Sequence, residues 1–131
     1  MNSQKKEKDI EALRKRIYDF VIRVVNLVKE LPNNLIGNRI GSQLLDAATS
    51  VGANFEEACA AISHADFTHK LGISKKEAYE TNYWLRVIRD THLMSPKRMG
   101  EIIAESEEIK NILTSSVKTA QDNRKNASKQ G

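Results

Sequence analysis

Cysteine is almost missing from this chain: Cys59 is the single one in 131 residues, so neither an internal disulfide framework nor a cysteine-rich metal cluster can be built. Two prolines and six glycines leave too little punctuation for a many-stranded sheet, which needs frequent turns. Aromatic residues make up only 5% of the chain, and the ones near basic side chains are Tyr18, Tyr79, Tyr83 and Trp84. No apolar run approaches the ~18–20 residues that span a bilayer. Residues 1–10 are polar and lack the apolar core of a signal peptide, so a cytoplasmic protein without membrane contact is expected. What remains is 40% hydrophobic and 29% charged, the balance of one soluble globular domain.

The net charge of +4 is unevenly spread. It is +3 over residues 1–31, −2 over 32–62, +1 over 63–92, zero over 93–118 and +2 over 119–131. Basic ends around a slightly acidic middle favour an anionic partner such as nucleic acid, although a solvated surface explains the same charges.

Apolar periodicity predicts four helices, at about 7–31, 36–61, 64–91 and 96–118, with residues 1–6 and 119–131 as disordered tails, the second of them basic. In the first helix Ile10, Ile17, Val24 and Leu31 repeat every seven residues, and Leu13, Phe20 and Leu27 supply the second seam position. Ile22 and Val25 carry the apolar arc beyond one stripe, and Lys15, Arg16 and Arg23 lie in a basic ridge opposite it. Pro32 ends this helix. The second helix follows the stripe Ile40, Leu44, Ala47, Ala48, Val51, Phe55, Ala58 and Ile62. Its small residues, Gly41 and Gly52 among them, imply a helix packed closely alongside, since each interior glycine costs roughly 0.5–1 kcal/mol. Ser63 caps the third helix, which carries Phe67, Leu71, Ala78, Leu85 and Ile88 on one face and Ile73, Trp84 and Val87 on another. Ser95 and Pro96 start the fourth, with Met99, Ile102, Ile103, Ile109, Ile112, Leu113 and Val117 inward.

Four such helices with short connections make an all-α, up-down-up-down antiparallel four-helix bundle the natural fold. The surplus apolar surface at Ile22, Val25, Ile73, Trp84 and Val87 then predicts a homo-oligomer, because monomers seldom expose large contiguous apolar patches.

Catalytic signatures are lacking. Asp66-x-x-His69 is a single copy where a diiron bundle needs two Glu-x-x-His motifs. Cys59 reads as a packed small hydrophobe, and His64, His69 and His92 form no recognisable triad with it. The glycines have neither Walker nor dinucleotide spacing. No enzyme activity, cofactor or metal is expected. Phosphate contacts are available from Lys15, Arg16, Arg23, Lys70, Lys75, Lys76, Arg86 and Arg89. Without a base-reading module, binding would be led by charge and shape and would weaken steeply with salt.

The anomaly of the second helix is Asn54, set within the apolar stripe with Ser50 four residues before it and Glu57 three after. Ser50, Asn54 and Glu57, the following Ser63, Phe67 and Leu71, and then Lys76, Glu77, Glu80, Thr81, Trp84 and Leu85 together resemble the "four helix bundle protein" family, also called the 23S rRNA intervening-sequence protein or S23 family. The resemblance is close over residues 46–85. It implies a bundle that assembles as a homopentameric ring with a central pore, non-enzymatic, encoded within insertions of bacterial large-subunit rRNA genes and linked to RNA. It also implies kinship in fold with the accessory variability proteins of diversity-generating retroelements, which use a basic pentamer to engage a reverse transcriptase and nucleic acid. A protein-interaction scaffold bound to a reverse transcriptase is therefore the alternative function. Where motif and anomaly meet, Ser50, Asn54, Glu57, Glu77 and Glu80 are expected to form a polar network between helices 2 and 3 that sets helix register or subunit contacts.

Overall fold

A computed structural model describes residues 2–130, and side chains within it over residues 3–127. It has four helices: α1 (Asn2–Lys29), α2 (Leu35–Cys59), α3 (His64–Asp90) and α4 (Pro96–Gln130). Each helix packs on its neighbours in the chain, α4 closes back on α1, and among the described residues the backbones of diagonal pairs stay apart. Short connections make successive helices antiparallel. The α2–α3 and α3–α4 contacts are extensive and the α1–α4 contact is slight.

The helices start where their caps dictate. Asn34 Oδ1 accepts the Gly37 amide at 2.9 Å ahead of α2, and Ser63 Oγ accepts the Asp66 amide at 3.0 Å ahead of α3. The end of α3 is closed by paired bonds, from the Leu93 amide to the Ile88 carbonyl and from the His92 amide to the Arg89 carbonyl, each 3.2 Å. This closure puts His92 at φ 58°, a conformation that glycine adopts without strain.

Both outer helices run beyond the expected bounds. Residues 2–6 and 119–130 are helical instead of forming disordered tails. At the far end the core continues through Ala120, which is 4% exposed and extends the seam one turn past Val117. The first extension holds Gln4, Lys5 and Lys6 and the second holds Ala120, Gln121, Arg124, Lys125 and Ala127, residue types that propagate a helix without an apolar stripe. In the other direction, α2 stops at Cys59, so Ile62 lies in the connection at 98% exposure and not on the expected stripe.

The core comprises Ile17, Phe20, Val24 and Leu27 of α1, Leu44, Ala48, Val51 and Phe55 of α2, Leu71, Ala78, Leu85 and Ile88 of α3, and Met99, Ile109, Leu113 and Val117 of α4. The expected close approach falls between α2 and α1: a Cβ on Gly52 would lie 3.2 Å from Val21, and one on Gly41 3.4 Å from Val28. Among the described residues, no buried side-chain nitrogen or oxygen lacks a hydrogen-bond partner. None of these helices is long and apolar enough to cross a membrane.

Two substitutions probe this frame by thermal or denaturant unfolding. His92→Gly should raise stability by up to about 1 kcal/mol, because the left-handed position no longer carries a Cβ. Gly37→Ala should lower it by at least about 2 kcal/mol, since the new Cβ would sit 2.0 Å from the Pro32 carbonyl oxygen and only backbone movement can relieve the clash.

Candidate nucleic-acid interface

Within the expected basic ridge on α1, Arg16 is committed to holding helices together and Lys15 is paired within its own helix. Arg16 makes a bidentate pair with Glu105 of α4 at 2.8 and 2.7 Å and also bonds Glu108. The guanidinium holds the Glu105 carboxyl below its ordinary range, with Arg23 adding to the effect from further away. Lys15 is tied to Asp19 one turn along at 2.7 Å. On α3, Lys70 bridges to Glu57 of α2 at 3.1 Å, and Arg89 is drawn to Asp90 at 2.8 Å. Arg14, outside the expected set, joins Glu56 at 2.6 Å, and Arg98 joins Glu30 at 2.8 Å. Arg23, Lys75, Lys76 and Arg86 have no carboxylate within 4.0 Å among the described residues.

The same holds for Lys5, Lys6 and Lys8 at the start of α1 and for Lys118, Arg124 and Lys125 near the end of α4. In an antiparallel bundle those two segments share one pole, where these six cations outnumber Glu7, Asp9 and Asp122 and leave a positive excess.

The polar network expected between α2 and α3 is divided into separate pieces. Asn54 donates to the Ser50 carbonyl at 2.9 Å and to Ser50 Oγ at 3.0 Å, so it is satisfied within its own helix. Glu57 turns to Lys70. Glu80 accepts from the Trp84 indole at 3.4 Å. Glu77 is half-buried, and burial, the adjacent Glu80 and Asp46 of α2 push its carboxyl above the ordinary range, against the pull of Lys76. No hydrogen bond joins Asn54 to either of these glutamates. A mid-helix asparagine reaches its own i−4 residue more cheaply than a neighbouring helix.

A network that sequence reasoning missed lies between α3 and α4. Asn82, 3% exposed, donates to Ser106 Oγ and to Glu107 Oε2, both at 3.1 Å, and accepts from Arg86 Nε at 2.9 Å. Acceptors on one side and the guanidinium on the other fix the orientation of its amide. Lys110 completes the set at 2.7 Å from Glu107. The signal was available, since Asn82 falls four residues after Ala78 and three before Leu85 in the buried stripe.

Of the apolar residues expected at a subunit contact, Ile22 is 43% exposed, while Val25, Ile73, Trp84 and Val87 are half-buried. Tyr79 and Tyr83 are about half exposed, at 47% and 49%. The Lys110 ammonium lies 5.0 Å from the Tyr79 ring centre. The Arg86 guanidinium lies 5.9 Å from that of Tyr83, and Trp84 meets Tyr83 edge-on at 4.9 Å.

Cys59 is exposed at the end of α2 and not packed as expected; desolvation of its thiol pushes the pKa up, which disfavours the thiolate. Among the described residues no group of three or more His, Cys, Asp or Glu could hold a metal ion. His64 Nε2 is engaged by the Ala120 carbonyl at 2.9 Å.

Fold and surface thus define a small helical-bundle protein whose polar side chains pair within and between its helices. The chain belongs to the 23S rRNA-intervening sequence protein family, whose model matches residues 8–115. It is similar to a solved protein of unknown function from the S23 ribosomal protein family of Bacteroides thetaiotaomicron, at 37% identity and a TM-score of 0.75, over 83% of this chain and 97% of that one. No curated protein matches it.

The Glu77 environment makes a pH-dependent prediction. Its raised folded-state pKa favours the protonated, folded form at low pH, and this contribution is lost as pH rises through the folded value. Glu77→Gln should therefore unfold at higher denaturant than the parent at pH 7, with the advantage shrinking as pH falls through the raised folded value and gone well below about pH 4.5, where unfolded glutamate is itself protonated. Equal midpoints at pH 7 would rule out the strain.

Proposed function

We propose that this chain is a non-enzymatic, cytoplasmic, homo-oligomeric bundle that binds nucleic acid, RNA by preference, through cationic surfaces repeated around the assembly. The carrying observation is the set of basic side chains left over once the internal ion pairs are made: Arg23, Lys75, Lys76 and Arg86 on the sides, and Lys5, Lys6, Lys8, Lys118, Arg124 and Lys125 at one pole. Such groups recruit phosphates and release counterions. The family description names 23S rRNA, and the similar protein is described as coming from a ribosomal protein family; both support an RNA partner. Self-association is supported by Ile22, Val25, Ile73, Trp84 and Val87, which keep apolar surface exposed on a single subunit. The assembly we propose is the pentamer that the family resemblance implies.

Binding of labelled RNA, followed from about 50 to 200 mM salt, should weaken by orders of magnitude. Replacing Lys75 and Lys76 together by glutamine should flatten the log–log salt dependence by roughly 0.7 for each single-strand phosphate that these lysines neutralise. Sedimentation should give a particle several times the 14.8 kDa chain mass. Salt-independent or undetectable RNA binding, or a monomer in dilute solution, would overturn the reading.

A further inference from the structure

α3 presents a third face, used neither by the core nor by the apolar set around Trp84. At 100° per residue, Lys75, Tyr79, Tyr83 and Arg86 fall within an arc of about 80°, while Ile73, Trp84 and Val87 lie roughly 100° around the helix from it. The stripe therefore reads cation, aromatic, aromatic, cation. Its two rings are about 6 Å apart along the axis and its cations about 16 Å apart, a length suited to a few nucleotides.

The rings are held in place before any ligand arrives. The Tyr79 hydroxyl is 3.4 Å from Thr114 Oγ1, and its ring lies beside Lys110, which is itself anchored on Glu107. Tyr83 is set by Trp84 and Arg86, and Arg86 is fixed by the buried Asn82. The α3–α4 network thus supports the stripe from beneath. Carboxylates are close: Glu107 faces Lys110 and Asn82, and Asp90 pairs with Arg89. Lys75 at the other end has no carboxylate within 4.0 Å among the described residues.

Resting on the nucleic-acid reading above, we infer that this stripe is a stacking platform for single-stranded RNA, with bases lying on Tyr79 and Tyr83 and flanking phosphates drawn to Lys75 and Arg86. Half-exposed, fixed aromatic rings between cations are what sequence-tolerant single-strand binding requires. A duplex offers no base faces, so helical RNA would gain only the phosphate contacts. The stripe leaves Ile73, Trp84 and Val87 free for contacts between subunits.

The test is fluorescence anisotropy with a short fluorescein-labelled oligouridine and an RNA duplex of equal length. The single strand should bind more tightly. Tyr79→Ala and Tyr83→Ala should each weaken it about 5- to 100-fold, as loss of one stacked base does, with the salt dependence unchanged because every phosphate-binding cation is retained. Tyr79→Phe and Tyr83→Phe should retain binding, and circular dichroism should show every variant folded. Wild-type binding of the single strand with no change in the alanine variants would overturn the platform and leave the nucleic-acid reading standing, as would equal affinity for the duplex. A change of sedimentation in the alanine variants without loss of RNA binding would reassign the stripe to a contact with a second copy. Absence of binding to either RNA by the wild type would overturn both.

Discussion

The packing of α3 against both α2 and α4 is the constraint on which this molecule depends. Its buried side is not purely apolar: Ser74 Oγ donates to the Val51 carbonyl of α2 at 2.8 Å, and Asn82 reaches Ser106 and Glu107 of α4. Each bond crosses a helix boundary, and those to Val51 and Ser106 lie at fully enclosed positions, where an unmade bond costs about 1–3 kcal/mol. Sliding α3 along either neighbour would strand these groups, so hydrogen bonding narrows what apolar packing alone would tolerate. With that helix located, its remaining sides are set as well. One carries Ile73, Trp84 and Val87, and the other carries the two exposed tyrosines.

Charge has two separate uses in this chain. Arg14, Arg16, Lys70 and Arg98 link different helices through carboxylates, and their positive charge is cancelled locally. Lys75, Lys76 and the cations at the common pole of α1 and α4 are left to act on the surroundings. Net charge alone could not distinguish the two groups, because an arginine at an interhelical seam and a lysine in solvent count equally.

Helix number, order and most core positions were legible because apolar spacing is a local property of the chain. The end of the first helix and the start of α3 were equally accessible through Pro32 and the Ser63 cap. The tails were misjudged because apolar periodicity is silent where helix is sustained by backbone propensity, and because Ala120 is too small to stand out as a seam residue. The site was less accessible. Whether Arg16 meets a carboxylate depends on Glu105, 89 residues away, and whether Asn54 or Asn82 crosses between helices depends on side-chain direction. Both asparagines interrupt an apolar stripe, yet one bonds to its own helix and the other joins two.

The opening half of α1 is attached differently from everything else. Residues 3–12 are exposed, Leu13 is half-buried, and the firm apolar anchorage begins only at Ile17. Until that point the helix is fastened mainly by Arg14 to Glu56 and by Arg16 to Glu105 and Glu108. Solvent-accessible pairs of this kind weaken as salt rises and the screening length falls from about 10 Å at 0.1 M to about 3 Å at 1 M. A concentrated electrolyte would therefore act on the protein at two places at once, damping the outward field of its unpaired cations and unclasping its own leading helix.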